Sequence, residues 1–340
     1  MKKKAPKPPS QRLIDPIPEG HEVKGVSTLF DDDGLIRGQW VKTRRVAEVT
    51  GFDFLDAVTR YVKAHVPAQP VIHRIPEAFD QDALNAFVWG DPHIGLLSHA
   101  RETGQNFDLK IACADLRRSA DLLVARAPKA GHAMFVEVGD LWHAQDDSQR
   151  TPRGQNKLDV DGRKSKILDE GLATVTYMID RLLASHDPGP VVLVPGTHDT
   201  DLVIFTRVFL SAVYRNEPRI RILDNASPWI YHTFGQNLFQ FNHGDKRVKP
   251  QELGEIMLTD RPHDAGACRH RVAMTGHVHH KNVAEFRWGR WESFNSLCAQ
   301  DFWHHAEGYR SERLVECITY HARFGERSRV RLTRDELAAA

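Results

Sequence analysis

The chain has 340 residues, 41% of them hydrophobic and 27% charged, with a formal net charge of +1. It is too long for one small domain and apolar enough for a sizeable core, which suits one large domain with an appendage. No apolar run reaches the roughly 18 residues a membrane span needs, and the near-neutral balance gives no global sign of a nucleic-acid partner.

Residues 1–12 begin Met-Lys-Lys-Lys and continue through several prolines with no apolar stretch behind the charges. That predicts a disordered basic tail rather than a secretory leader. Residues 13–75 are expected to form a small N-terminal α/β appendage. Its first part is a hairpin over 25–43, with Asp31, Asp32, Asp33 and Gly34 at the turn and a strand at 36–41. Apolar residues then fall at Val46, Val49, Phe52, Leu55, Val58 and Val62, which predicts two short helices about Gly51. Such a pair resembles a helix-turn-helix DNA reader, but packing against the main domain is the plainer reading. Residues 66–76 read as a linker.

The main domain is expected over 80–335. Short apolar runs alternate with helical patterns there, which marks an α/β fold. Strands are predicted at 86–89, 134–138 and 191–194. Between them, helices carry Leu109, Ala112, Leu116, Ala120 and Leu123, then Leu168, Leu172, Val175, Ile179 and Leu182. Beyond Ile220 the pattern turns mostly to strands: 229–232, 238–241, 272–274, 283–286, 292–294 and 313–320. The layout implies two packed sheets flanked by helices. Four widely spaced cysteines (Cys113, Cys268, Cys298 and Cys317) form no Cys-x-x-Cys pair. They are expected to be reduced and mostly buried, which fits a cytoplasmic protein.

Five polar blocks follow the apolar strands, where α/β sheets present ligand sites: Asp91-Pro-His93, Gly139-Asp140, Gly196-Thr197-His198-Asp199, His243-Gly-Asp245 and Gly276-His277-Val-His279. One such block means little; five in this order, each at a strand end, point to one site. Mixed carboxylate and imidazole donors suit manganese, iron or zinc rather than calcium, and no thiolate is offered. A pair of ions roughly 3.5–4 Å apart needs a shared anionic bridge, for which Asp140 is the natural candidate. Such a pair would hold a phosphate, activate water and stabilise both the attacking and the leaving oxygen.

In these blocks the chain resembles the calcineurin-like metallophosphoesterases, whose pattern is Asp-x-His, Gly-Asp, Gly-Asn-His-Asp/Glu, His and Gly-His-x-His. The resemblance covers residues 85–280. It implies a four-layer α/β/β/α sandwich and two divalent ions, manganese foremost. It further implies that Asp91, His93 and His279 hold one ion, Asp140 bridges, and His243 and His277 hold the second with residue 197 completing its shell. His198 would act at the leaving oxygen and Asp199 would orient the His198 imidazole. One position departs from the pattern: Thr197 stands where the family has asparagine. A threonine hydroxyl lies one bond nearer the backbone than an asparagine carbonyl oxygen and falls short by roughly 1.2–1.5 Å.

The block after Asp140 reads Leu-Trp-His143, with no arginine before Arg150. It is similar to the Gly-Asp-Leu-Phe-His stretch of DNA double-strand-break repair exonucleases, which implies that His143 positions the substrate phosphate. The basic segment 149–157 could follow a nucleic-acid backbone or be a solvated loop. The cluster around Trp303, Tyr309 and Arg310 could stack a base or cap a sheet. About sixty residues follow the last block, enough to close the sandwich but not to add a DNA-gripping domain, and no segment for docking an ATPase partner is evident. Three functions are compatible with this pattern: a DNA nuclease, a small-molecule phosphodiesterase or phosphatase, and a catalytically weak phosphate- or nucleic-acid-binding protein.

Overall fold

The structure, a computed structural model, describes residues 21–45, 62, 66–70, 72, 79–223 and 227–339. The predicted basic tail and most of the predicted helix pair lie outside the described residues. The chain divides into two compact units, one ending at Tyr61 and the other starting at Val62.

In the first unit, strands β1 (His21–Phe30) and β2 (Ile36–Arg45) pair antiparallel. Asp31 makes the turn, its carboxylate accepting the amide N–H groups of Asp33 and Leu35. The predicted hairpin is present, with longer strands than expected.

In the second unit, the described strands form two sheets. The larger is built from β3 (Asp80–Trp89), β4 (Ala130–Glu137), β5 (Asp187–Leu193), β6 (Arg221–Ile222), β12 (Leu314–His321) and β13 (Gly325–Thr333), in the order β13-β12-β3-β4-β5-β6. Strands β3 to β6 run parallel, and β12 and β13 add an antiparallel edge. The smaller sheet contains β7 (Ile230–Phe234), β8 (Asn237–Phe241), β9 (His270–Thr275), β10 (Asn282–Phe286) and β11 (Gly289–Ser293), ordered β10-β11-β9-β8-β7.

Alternation along the strands sorts the core into layers. From β3, Leu84, Ala86 and Val88 face a cluster with Phe239, Phe241, Val272 and Met274 of the smaller sheet. Phe87 and Trp89 point the other way, into a cluster with helices α1 (Leu109–Arg126), α2 (Lys164–Ser185) and α3 (Leu202–Val213). On the far face of the smaller sheet, Leu238 packs with Met257 of α4 (Leu253–Asp260) and Ala265 of α5 (Pro262–Ala267). The result is a four-layer α/β/β/α sandwich, as the resemblance implies.

The predicted spacing in α1 is met, since all five of its marked residues are buried. Asp108 caps this helix by accepting the Ile111 N–H at 2.7 Å. The predicted linker is partly docked. Gln69 donates its backbone N–H to the Val213 carbonyl and its side-chain amide to Asp180, and Val66 and Ile72 pack against the helix-side core. All four cysteines are free and buried. Among the described residues, no helix is long and apolar enough to cross a membrane.

Candidate metal centre

The donors sit where the parallel strands end, and the backbone there is tightly turned. Asp91, His93, Asp140, His277 and His279 all have positive φ, between 44° and 71°. This left-handed region costs an ordinary residue on the order of 1 kcal/mol or more, and it persists where the surrounding fold over-determines it. Here it aims short side chains from two sheets at one point. Two glycines make the room. A Cβ on Gly139 would lie 2.2 Å from His243 Nδ1, and one on Gly196 would lie 2.0 Å from Asp140 Oδ1.

The donors form two triads. Asp91, His93 and His279 bring one ligand atom each within 4.8 Å of one another, and so do Asp140, His243 and His277. Asp140 lies between them, with Oδ2 3.1 Å from His243 Nε2 and 4.0 Å from His93 Nε2. Its other oxygen accepts the His198 backbone N–H at 2.8 Å. Asp91 accepts the His277 N–H at 2.8 Å, linking the triads through the backbone. His93 Nε2 and His279 Nε2 approach to 3.1 Å.

Ring tautomers and burial favour ligation. His243 Nδ1 donates to the Val138 carbonyl at 3.0 Å, which turns Nε2 toward Asp140 at the centre. Burial, with His304 nearby, holds His279 neutral down to about 3, and burial likewise keeps His93 well below the usual imidazole range. Neutral imidazole is the ligating form. The carboxylates carry the converse signature. Burial pushes Asp91 up to about 8, while Asp140, despite burial, is held well below the usual range by His243. His243 is itself kept protonated up to about 10 by Asp140 and Asp91, against the effect of burial. The residues present therefore fit two divalent cations.

Two residues have neighbours other than those the expected roles imply. His143 does not line the cleft. Leu141 and Trp142 turn into the core, with Trp142 Nε1 donating to Thr206 at 2.9 Å, and this carries His143 beneath the donors, where it is 1% exposed. Its Nδ1 lies 3.3 Å from His93 Nδ1, and its ring stacks on His198 at 5.3 Å. Its Nε2 is buried without a hydrogen-bond partner, and with His93 and His198 it forms a third group of ring nitrogens lying within 4.8 Å of one another. Asp199 does not orient His198 either. Its carboxylate accepts the N–H groups of Trp142 and Gly196 at 3.1 and 3.0 Å, bracing the loops beside Asp140. The His198 imidazole is instead set by its Nδ1, which donates to the His143 carbonyl at 2.7 Å. Thr197 reaches the Asp140 carboxylate, with its hydroxyl donating to Oδ2 at 3.1 Å.

Two residues beyond the sequence pattern belong to the surroundings. Glu137, fully buried behind Asp140, accepts the Gly139 N–H at 2.7 Å, and its other oxygen has no partner. Its signal is an acid inside the apolar run Met134-Phe-Val-Glu-Val138. His304 stacks on His279 with ring centroids 5.1 Å apart.

The triads open into a cleft of about 1220 Å³, lined among others by His93, Asp140, Thr197, His198, His277 and His279. Arg153, Lys157 and Arg310 also line it, which places part of the basic 149–157 segment at its wall.

The ordered donor blocks lie together on the sandwich, as the resemblance in the sequence implies. No family model matches the chain, and no curated protein does. Among solved structures, the chain is similar to the phosphoesterase YfcE from E. coli, at 16% identity and a TM-score of 0.34 over 72% of this chain and 98% of that one. It is similar to an archaeal phosphodiesterase at 9% identity and a TM-score of 0.36, over 73% and 99% of the two chains. A zinc complex of Vps29 from Entamoeba histolytica aligns at 11% identity and a TM-score of 0.29, over 73% and 98%.

Proposed function

We propose that the chain is a dinuclear-metal phosphodiesterase that hydrolyses DNA. The observation that carries the catalytic part is the pair of donor triads on either side of Asp140. Two divalent ions, manganese foremost with iron or zinc as other fits, would neutralise phosphate oxygens and acidify a water there. The chain's own residues do the rest. Asp91, His93 and His279 hold one position, His243 and His277 hold the other, and Asp140 joins them. His198, on the cleft wall, keeps its Nδ1 proton on the His143 carbonyl. Its Nε2 is left to hold a proton for the leaving oxygen, and the same carbonyl stabilises the imidazolium that gives it up.

The substrate class is supported by the cleft. At about 1220 Å³ it exceeds the ~300–1,000 Å³ typical of small-molecule sites. Its arginine and lysine side chains suit a polyanion. The test is to strip the protein, reload it with manganese, and assay bis(p-nitrophenyl) phosphate alongside single- and double-stranded DNA. Hydrolysis of the ester with DNA left intact would replace DNA by a small phosphodiester. Inertness toward both would leave a binding protein.

A further inference from the structure

Beyond the triads the cleft wall is aromatic. Helix α6 (Phe302–Ala306) and the turn after it carry Trp303 and Tyr309, which are 57% and 47% exposed and line the same cleft as His93, Asp140 and His279. Their ring centroids are 5.8 Å apart with planes tilted by 32°. Large rings left side by side in water mark a surface that something else covers.

The wall is fixed before anything binds. Asp301 accepts the His304 backbone N–H at 2.8 Å and the ring Nδ1 at 2.7 Å. The Tyr309 N–H donates to the His304 carbonyl, and the Tyr309 carbonyl accepts from Gln300 and Arg310. The wall is also joined to the metal centre by rings. His279 stacks on His304 at 5.1 Å, and His304 meets Trp303 edge-on at 5.0 Å. A group lying on Trp303 is therefore two ring-steps from a metal donor.

We propose that Trp303 and Tyr309 form a nucleobase subsite, which stacks the base attached to the phosphodiester held at the triads. The inference rests on the phosphodiesterase reading and names the part of the substrate on which that reading is silent. A flat heterocycle fits two exposed rings, since every base has a π-face to stack. The same cleft is lined by the side-chain amides of Gln105 and Asn156, which carry the paired donor and acceptor that a base edge presents, and by Arg310. An aliphatic chain would use the rings but none of these polar groups.

The experiment compares three diesters that release the same p-nitrophenolate: the p-nitrophenyl ester of thymidine 5′-phosphate, methyl p-nitrophenyl phosphate, and cyclohexylmethyl p-nitrophenyl phosphate. In the manganese-loaded protein, kcat/KM for the thymidine ester should exceed that for the methyl ester by about tenfold or more, the scale of one base–aromatic stack. Trp303→Ala should bring that ratio towards one, and Trp303→Phe should restore most of it. A wild-type ratio near one, a ratio unmoved by Trp303→Ala, or a cyclohexylmethyl ester as good as the thymidine ester would overturn the subsite. Titrating thymidine 5′-phosphate by calorimetry separates the two readings. Binding that weakens about tenfold in Trp303→Ala, with no turnover of any ester, keeps the subsite and removes the hydrolase. Turnover of all three esters without discrimination does the reverse.

Discussion

The protein buries two groups of carboxylates and compensates them differently. Glu292 and Glu316, in β11 and β12, are 0% and 1% exposed, and side-chain cations surround them. Lys281 bridges the pair at 2.7 and 2.6 Å and Arg329 bridges it at 2.9 and 3.0 Å, while Arg290 approaches Glu292 and Arg331 approaches Glu316. Although burial opposes it, Lys281 and Arg329 keep Glu292 below the usual carboxylate range. Asp91, Asp140, Asp199 and Glu137 are buried as deeply, yet their partners are imidazoles, amide N–H groups and the Thr197 hydroxyl. Among the described residues, no lysine or arginine pairs with them. Burial lifts Asp199 to about 7 and Glu137 well above its usual range. One group is a closed ionic joint between the two sheets. The other is a cluster of acids, of which Asp91, Asp199 and Glu137 keep their protons when no cation is beside them, since unpaired charge is too costly to bury.

The comparison breaks hardest at Asp140. Asp140→Asn should lower manganese-dependent turnover by about 1,000-fold, the upper range for loss of one electrostatic stabiliser. It should also reduce the bound metal measured by elemental analysis. Retained activity would show that the two triads do not share a bridge. His198→Ala should cost about 100-fold or more in turnover, as for loss of a general acid, while leaving metal content near that of the parent. A variant that loses both ions would make His198 a ligand.

The ionic joint should fail in stability instead. Glu316→Ala leaves Lys281 and Arg329 under-compensated and should cost about 3 kcal/mol in denaturant unfolding. Asp91→Asn, in metal-stripped protein, should cost far less, because that carboxyl already holds its proton up to about 8. Equal losses would erase the distinction between the groups.

Acid and base should separate the regions further. With Asp91 raised to about 8 and Asp199 to about 7, the folded stripped protein keeps protons that the unfolded chain releases above about pH 4. The contribution of these groups to stability falls as pH rises through that window. Glu292, shifted down, acts oppositely: its contribution is present above the usual carboxylate range and is lost on acidification through its lowered value. Below about pH 6.5 the neutral His93 and His279 pull the other way, so melting temperatures of stripped protein should decline from about pH 7 to 8, and manganese should flatten the decline. A flat profile without metal would argue against buried, proton-holding carboxylates at the centre.

The smallest effect is expected at Thr197. If its short hydroxyl is a poor ligand, Thr197→Asn should raise turnover a few-fold at limiting manganese and little at saturation, because mass action fills a weak site. An unchanged manganese titration would mean that threonine serves as well.

Much of this was legible because the donors stand directly after apolar strands. The C-terminal ends of β3 and β5 are uninterrupted apolar runs, and that of β4 is broken by Glu137 alone, so the blocks at 91, 140 and 196 could be placed on one sheet edge. The starts of those strands contain Asp80, Gln81, His132 and Pro188, and their true extent was hidden by that polarity. Strand β13 reads Gly-Glu-Arg-Ser-Arg-Val-Arg-Leu-Thr, and its Arg329 and Arg331 make sense only once Glu292 and Glu316 face them. Helix α3 is apolar nearly throughout, so it shows no polar face from which a period could be read. The positions of His143 and Asp199 depend on Trp142 folding into the core, a long-range event that no local spacing records.

The left-handed backbone at five donor positions also limits which sequences can build this centre. Only residues that tolerate positive φ can stand there, so asparagine and glycine are the nearest neighbours of the aspartates in sequence space, and β-branched residues are the farthest. A library randomised at Asp91 and Asp140 and selected for folding alone would return those two residues first. The centre can therefore lose its chemistry in a single step while keeping its shape.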